Sequence, residues 1–159
     1  MEAIATRGDR LALGRVLLES SSDTIGSSEI EHLMIIEVAE AGNRVANIVF
    51  DPDDLDAAYA ELDERYQAGE AAPYAAYWEV YLRNHRAIAA RDWGKLAALY
   101  TPDCVMEDHR PLGLPTLGSR DECVASVRAF ADLRPDARAR VEHVLALDDR
   151  RMLAVTGWV

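Results

Sequence analysis

The residue types best suited to chemistry concentrate in one stretch, CVMEDHRPLG, residues 104–113. Glu107, Asp108, His109 and Arg110 follow one another directly, and Pro111 and Gly113 then break the pattern. A carboxylate taken out of water has a raised pKa and accepts a proton near neutrality, where histidine also titrates. Asp108 and His109 are therefore the candidate general bases. The same cluster could instead be half of a metal site or a charged strand end. Neighbours on a regular strand point to opposite faces. Asp108 and His109 cannot then enter one pocket as a direct pair. Either Glu107 and His109 or Asp108 and Arg110 face inward, and Asp108 inward with Arg110 near the mouth is the expected arrangement.

A second set lies upstream. Tyr74, Tyr77, Trp78, Tyr81, His85 and Ile88 recur at helical spacing. Such a stripe faces the core, and His85 on it reads as a core histidine or a pocket residue. Buried tyrosine hydroxyls and indole N–H groups need partners, so this face can also hold a ligand. Metal chemistry is not expected. The four histidines stand at 32, 85, 109 and 143, with no HxH or HExxH spacing. No glycine-rich phosphate loop and no GxSxG elbow occurs, and no cofactor is implied. Cys104 and Cys123 form no CxxC pair and read as reduced packing residues.

The elements that must position these residues can be read from periodicity. Residues 9–19, 30–40 and 44–51 are strand-like, with a Ser/Gly connection at 20–29 and a turn at Ala41-Gly42-Asn43 that suggests a hairpin. Asp51-Pro52 then signals a helix start, with Leu55, Ala58, Tyr59, Leu62 and Tyr66 on one side. Gly69 and Pro73 end it, and residues 67–73 read as the one linker. A helix over about 73–91 follows, then a short one over 93–100 capped by Asp92. Residues 104–110 read as a strand. Residues 120–133 read as a helix with Val124, Val127 and Phe130 on one side. A closing hairpin over 139–149 and 151–159 turns at Asp148-Asp149. The two chain ends also resemble each other at an offset of 140: Glu2/Glu142, Asp9/Asp149, Arg10/Arg150 and Leu13/Leu153 coincide.

Composition bounds the function. The chain has 159 residues, is 50% hydrophobic and carries a net charge of −11, with a pI near 4.7. That length and apolar content suit a single domain with a real core. The acidity argues against nucleic acid and against anionic membrane surfaces, both of which select basic faces. No apolar run is long enough to cross a membrane, and the N-terminal stretch lacks the apolar core of a secretory leader. A cytoplasmic protein is expected.

The segment YWEVYLRNHRAIAARDWGKLAALYTPDCVMEDHRPLG, followed by GSRDE, resembles the opening of SnoaL-like domains of the nuclear transport factor 2-like superfamily. The resemblance rests on an aromatic helix, then D-W-x-x-L-x-x-L-Y-x-P-D-x-V, then a polar strand and a small helix, across residues 73–159. It implies an α+β fold, a cone of curved and mostly antiparallel sheet around three or four helices, with a pocket inside. Residues 49–66 are similar to the closing strand and helix of such units. Residues 1–67 thus resemble the second half of a unit and 73–159 the first half, as in a permuted chain or one exchanging halves with a partner. The resemblance implies a homodimer and a pocket for a small apolar or aromatic molecule held by Trp78, Tyr81, His85 and Arg110. A non-catalytic binding or assembly domain is the reading that the missing catalytic motif favours. A cofactor-independent cyclase, isomerase or epoxide hydrolase using Asp108 or His109 is the alternative.

Overall fold

The computed structural model describes residues 2–22, 26–111 and 113–158. Their contacts divide the chain into two units, Met1–Ala75 with Val141–Thr156, and Ala76–Arg140 with Gly157–Val159.

Alternating apolar residues build the sheet of the first unit. β1 (Glu2–Arg7), β2 (Leu11–Ser22), β3 (Gly26–Val38) and β4 (Arg44–Phe50) each pair antiparallel with the next. β5 (Ala139–Leu147) runs parallel to β1, and β6 (Met152–Trp158) completes the order β4-β3-β2-β1-β5-β6. The architecture is the expected α+β one, with a mostly antiparallel sheet.

Strand alternation decides which face is buried. Leu13, Leu33 and Ile35 are fully buried, and Leu33 and Ile35 stand opposite Phe50 and Ile48. α1 (Leu55–Ala68) packs on these strands through Ala58, Leu62 and Tyr66. Arg65 ties the layers together, donating to Glu37 of β3 at 2.7 Å and to Glu61 one turn back at 2.6 Å. Leu18 opposite Ile30, and Met34 opposite Val49, point to the other face. There Leu18, Ile30 and Val49 are 53%, 59% and 59% exposed.

The parallel seam joins strands from opposite ends of the chain. Its ladder matches only Thr6 to His143 and Arg7 to Val144. Side chains reinforce it. Arg7, 1% exposed, donates to the carbonyls of Thr6, Val141 and Glu142 at 2.8, 3.1 and 3.3 Å. It also donates to Asp63 of α1 at 2.7 Å. Thr6 Oγ1 lies 3.0 Å from His143 Nδ1. Only a guanidinium offers enough donors in one plane to satisfy so many buried acceptors.

The second unit is helical. α2 (Ala75–Ala89), α3 (Trp93–Ala97) and α4 (Arg120–Leu133) surround a core of Ala87, Ile88 and Leu96, against which Trp93, Tyr100, Val124, Val127 and Trp158 pack. Asp92 caps α3 by accepting from the Lys95 N–H at 3.0 Å. Ser119 caps α4 by accepting from the Glu122 N–H at 3.3 Å. Arg91 follows α2 with φ of 52°, and its side chain donates to the Ala131 carbonyl in the last turn of α4 and to the Pro135 carbonyl just beyond it.

Several expectations are corrected. Residues 104–110 form no strand; only an isolated bridge joins Met106 to Leu117. Pro111, Gly113 and Pro115 deny this stretch a continuous partner. Asp51 does not cap α1: the helix starts at Leu55, its first flanking residue is Asp54, and Asp51 instead accepts from the Asp54 N–H in a turn. The Ser/Gly connection is largely strand, because β2 and β3 stay in register from Leu11–Glu37 out to Ser22–Gly26; residues 23–25 lie outside the described residues. α4 itself is as expected, and Phe130, though 45% exposed, meets Trp158 with its ring tilted at 4.9 Å between centroids. Cys123 and Ala131 are the buried positions of α4.

Candidate functional site

The helical spacing of the aromatic residues on α2 places their rings in a row. Trp78 is fully buried and stacks on Tyr81 at 5.6 Å between centroids. Tyr81 meets His85 edge-on at 4.6 Å. Sites three and four residues apart on a helix are neighbours on its surface, which is why these rings touch. Tyr81 and His85 are only half-buried. Beside this row, Tyr77, Val80, Tyr81 and Asn84 of α2 face Leu99 and Tyr100 across a cleft of about 420 Å³. The Tyr100 hydroxyl donates to Asn84 Oδ1 at 2.9 Å. Burial raises the Tyr100 phenol above its ordinary pKa, so it stays a neutral hydrogen-bonding group. The cleft combines aromatic walls with hydroxyl and amide groups, the composition that seats a flat ligand and orients its polar substituents.

A second cleft, of about 490 Å³, opens further along α2 between Arg83, Arg86 and Ala87 and, beyond the helix, Lys95 and Leu99. Two of its cations are already paired, Arg86 with Glu79 at 3.2 Å and Lys95 with Asp92 at 2.8 Å.

The polar cluster at 107–110 is arranged by a turn. The Asp108 side chain is 11% exposed, covered by the turn itself, whereas that of His109 is 87% exposed. Arg110 donates to Asp108 from Nε at 2.8 Å and from Nη2 at 2.6 Å. The Arg110 and Leu114 N–H groups donate to the same carboxylate at 3.1 and 2.9 Å. Gly113 is required here, since a Cβ on it would stand 2.6 Å from the Asp108 carboxyl carbon. The Arg110 guanidinium, with the Leu114 amide, holds the Asp108 carboxyl far below the usual carboxylate range. His109 lies 3.4 Å from Glu107 in solvent.

The structure thus brings Trp78, Tyr81 and His85 together, and Asp108 with Arg110. Asp108, His109 and Arg110 are not among the lining residues of the aromatic cleft. Asn84, Leu99 and Tyr100 were not singled out from sequence. Asn84 follows Tyr77 and Tyr81 at helical spacing, which was the available signal; Leu99 and Tyr100 needed the turn after α3. Among the described residues no group of three or more His, Cys, Asp or Glu could hold a metal ion, and no helix is long and apolar enough to cross a membrane.

No curated protein matches the chain. Residues 81–159 match the family model of the SnoaL-like domain.

Proposed function

We propose that this protein is a small-molecule-binding or assembly domain of the SnoaL-like type that does not itself catalyse a reaction. The observation that carries this reading is the contrast between the two candidate regions. The aromatic cleft on α2 offers shape and hydrogen-bonding groups, while the carboxylate that could act as a base is saturated by Arg110 and two amides. A carboxylate with so depressed a pKa removes protons poorly near neutrality. The ligand class is a flat apolar or aromatic molecule with one polar substituent.

Isothermal titration against a panel of such molecules tests the reading. The best binder should lose about tenfold in affinity on Tyr81→Ala, the scale of one aromatic contact. Tyr100→Phe should weaken it by a similar factor, since about 1 kcal/mol rests on a hydrogen bond. A panel whose binding ignored both substitutions would sink the proposal. The enzyme alternative makes a different demand: Asp108→Asn combined with His109→Ala must abolish turnover of a substrate that the wild type converts.

The permuted order belongs to the same proposal. The support is that strands β1 to β4 and α1 precede the matched segment and join β5 through the Arg7 seam. Pairing of two copies through the open sheet face is supported by Leu18, Ile30 and Val49 on it. If halves are exchanged between copies, dilution should unfold the protein instead of releasing folded monomer.

A further inference from the structure

The two cysteines were expected to be unrelated packing residues, 19 positions apart in sequence. The fold makes them neighbours. Leu117 and Met106 exchange both backbone hydrogen bonds at 3.0 Å, and the Arg120 N–H donates to the Pro102 carbonyl at 3.2 Å. These bonds lay residues 102–106 antiparallel along 117–120. Cys104 follows Pro102 on one side, and Cys123 sits in the first turn of α4 on the other. The Cys123 Sγ reaches the Cys104 carbonyl at 3.9 Å. Burial, and then the adjacent Cys104 thiol, raise the Cys123 thiol above its ordinary pKa. Cys123 is buried, whereas Cys104 is only half-buried.

We infer that Cys104 and Cys123 form a reversible dithiol–disulfide modification site that staples the start of the EDHR segment to α4. The asymmetry in burial sets the order of events. A small disulfide oxidant reaches Cys104 first. The Cys104 thiolate attacks one sulfur of the oxidant; the oxidant's S–S bond breaks, and one thiolate departs and takes up a proton. The buried Cys123 then loses its proton and attacks the Cys104 sulfur of the mixed disulfide, expelling the second thiolate. The protein gives up two protons and two electrons, and the oxidant becomes two thiols. The covalent loop from Cys104 to Cys123 encloses Glu107, Asp108, His109 and Arg110, so oxidation tethers both ends of the polar turn.

The test uses the full chain. Incubation with oxidised glutathione should lower the intact mass by two hydrogens and leave no titratable thiol. It should yield a Cys104–Cys123 peptide pair within one chain, and dithiothreitol should reverse the change. Cys123→Ser should stop at one glutathione on Cys104. Folded Cys104→Ser should take up none, because Cys123 is shielded. The wild-type mass alone decides the matter should either variant misfold. Glutathione adducts without an internal disulfide, cross-linking between chains, or two thiols left intact under conditions that oxidise a short cysteine peptide would each overturn the inference.

Discussion

Asp108 accepts two hydrogen bonds from the Arg110 side chain and two from backbone amides, and these bonds favour its ionised form. Its folded pKa therefore lies below that of the unfolded chain. The stability it contributes is fully present above the ordinary carboxylate pKa and is lost as pH falls through the depressed folded value. The Leu114 amide should accordingly stay protected in hydrogen exchange at pH 5 and lose protection only under strongly acidic conditions. Asp108→Asn should remove that protection at neutral pH without changing the sheet amides. Arg7 poses a different residue-scale question, because its charge is buried and its acceptors come from two strands and a helix. Asp63→Ala leaves that charge without its carboxylate. It should cost about 3 kcal/mol in urea unfolding, the usual penalty for stranding a buried ion. Loss below 1 kcal/mol would show that the carbonyls suffice.

Two turns that align in sequence at an offset of 140 close in different ways at the scale of elements. In the β5–β6 turn, Asp148 accepts from the Arg150 and Arg151 N–H groups at 2.8 Å each. In the β1–β2 turn, the Asp9 and Arg10 N–H groups donate to Glu70 at 3.2 and 3.1 Å. That carboxylate comes from just beyond α1, so the second solution ties a turn of the sheet to the end of the helix. Gly8 makes room for it: φ is +57°, and a Cβ there would sit 2.7 Å from Glu70 Oε2. Gly8→Ala should lower stability by about 1 kcal/mol from backbone strain. It should also loosen the contact with Glu70. Thermal unfolding of Gly8→Ala, Glu70→Ala and the double variant would check this. The double variant should be less destabilised than the sum of the two, because both act on one contact.

At the scale of the whole molecule, the open face of the sheet carries Leu18, Ile30 and Val49 at about half exposure or more. Exposed apolar residues that line up on one sheet face mark an interaction surface when they are contiguous. Leu18 and Ile30 stand directly opposite each other on β2 and β3, and Met34 and Val49 on β3 and β4. If this face pairs two copies, light scattering should report a dimer for the wild type and a folded monomer for Ile30→Asp. A wild type that stays monomeric at all concentrations would contradict the pairing. The net charge of −11 opposes association, so raised salt should favour the dimer.

Local signals were enough for most elements. α4 was legible because Val124, Val127 and Phe130 recur at helical spacing. Asp92 announced α3, Gly42 announced the β3–β4 turn, and the aromatic spacing of α2 predicted that Trp78, Tyr81 and His85 share a face. Period and capping are properties of neighbours in sequence, and a single chain displays them without its fold. What the chain could not display was partnership across distance. The 104–110 stretch has strand-like residues but finds only one bridge, because pairing needs a second strand in reach. Arg7 carries no local signal of its role, because the strands that close over it come from both chain ends. Asp108 looked like a free base until Arg110 and the Leu114 amide turned back onto it. The sequence by itself determined the elements and the aromatic face; the tertiary structure alone decided which polar groups are already spent on one another, because hydrogen bonds and desolvation depend on groups that sequence separation does not bring together.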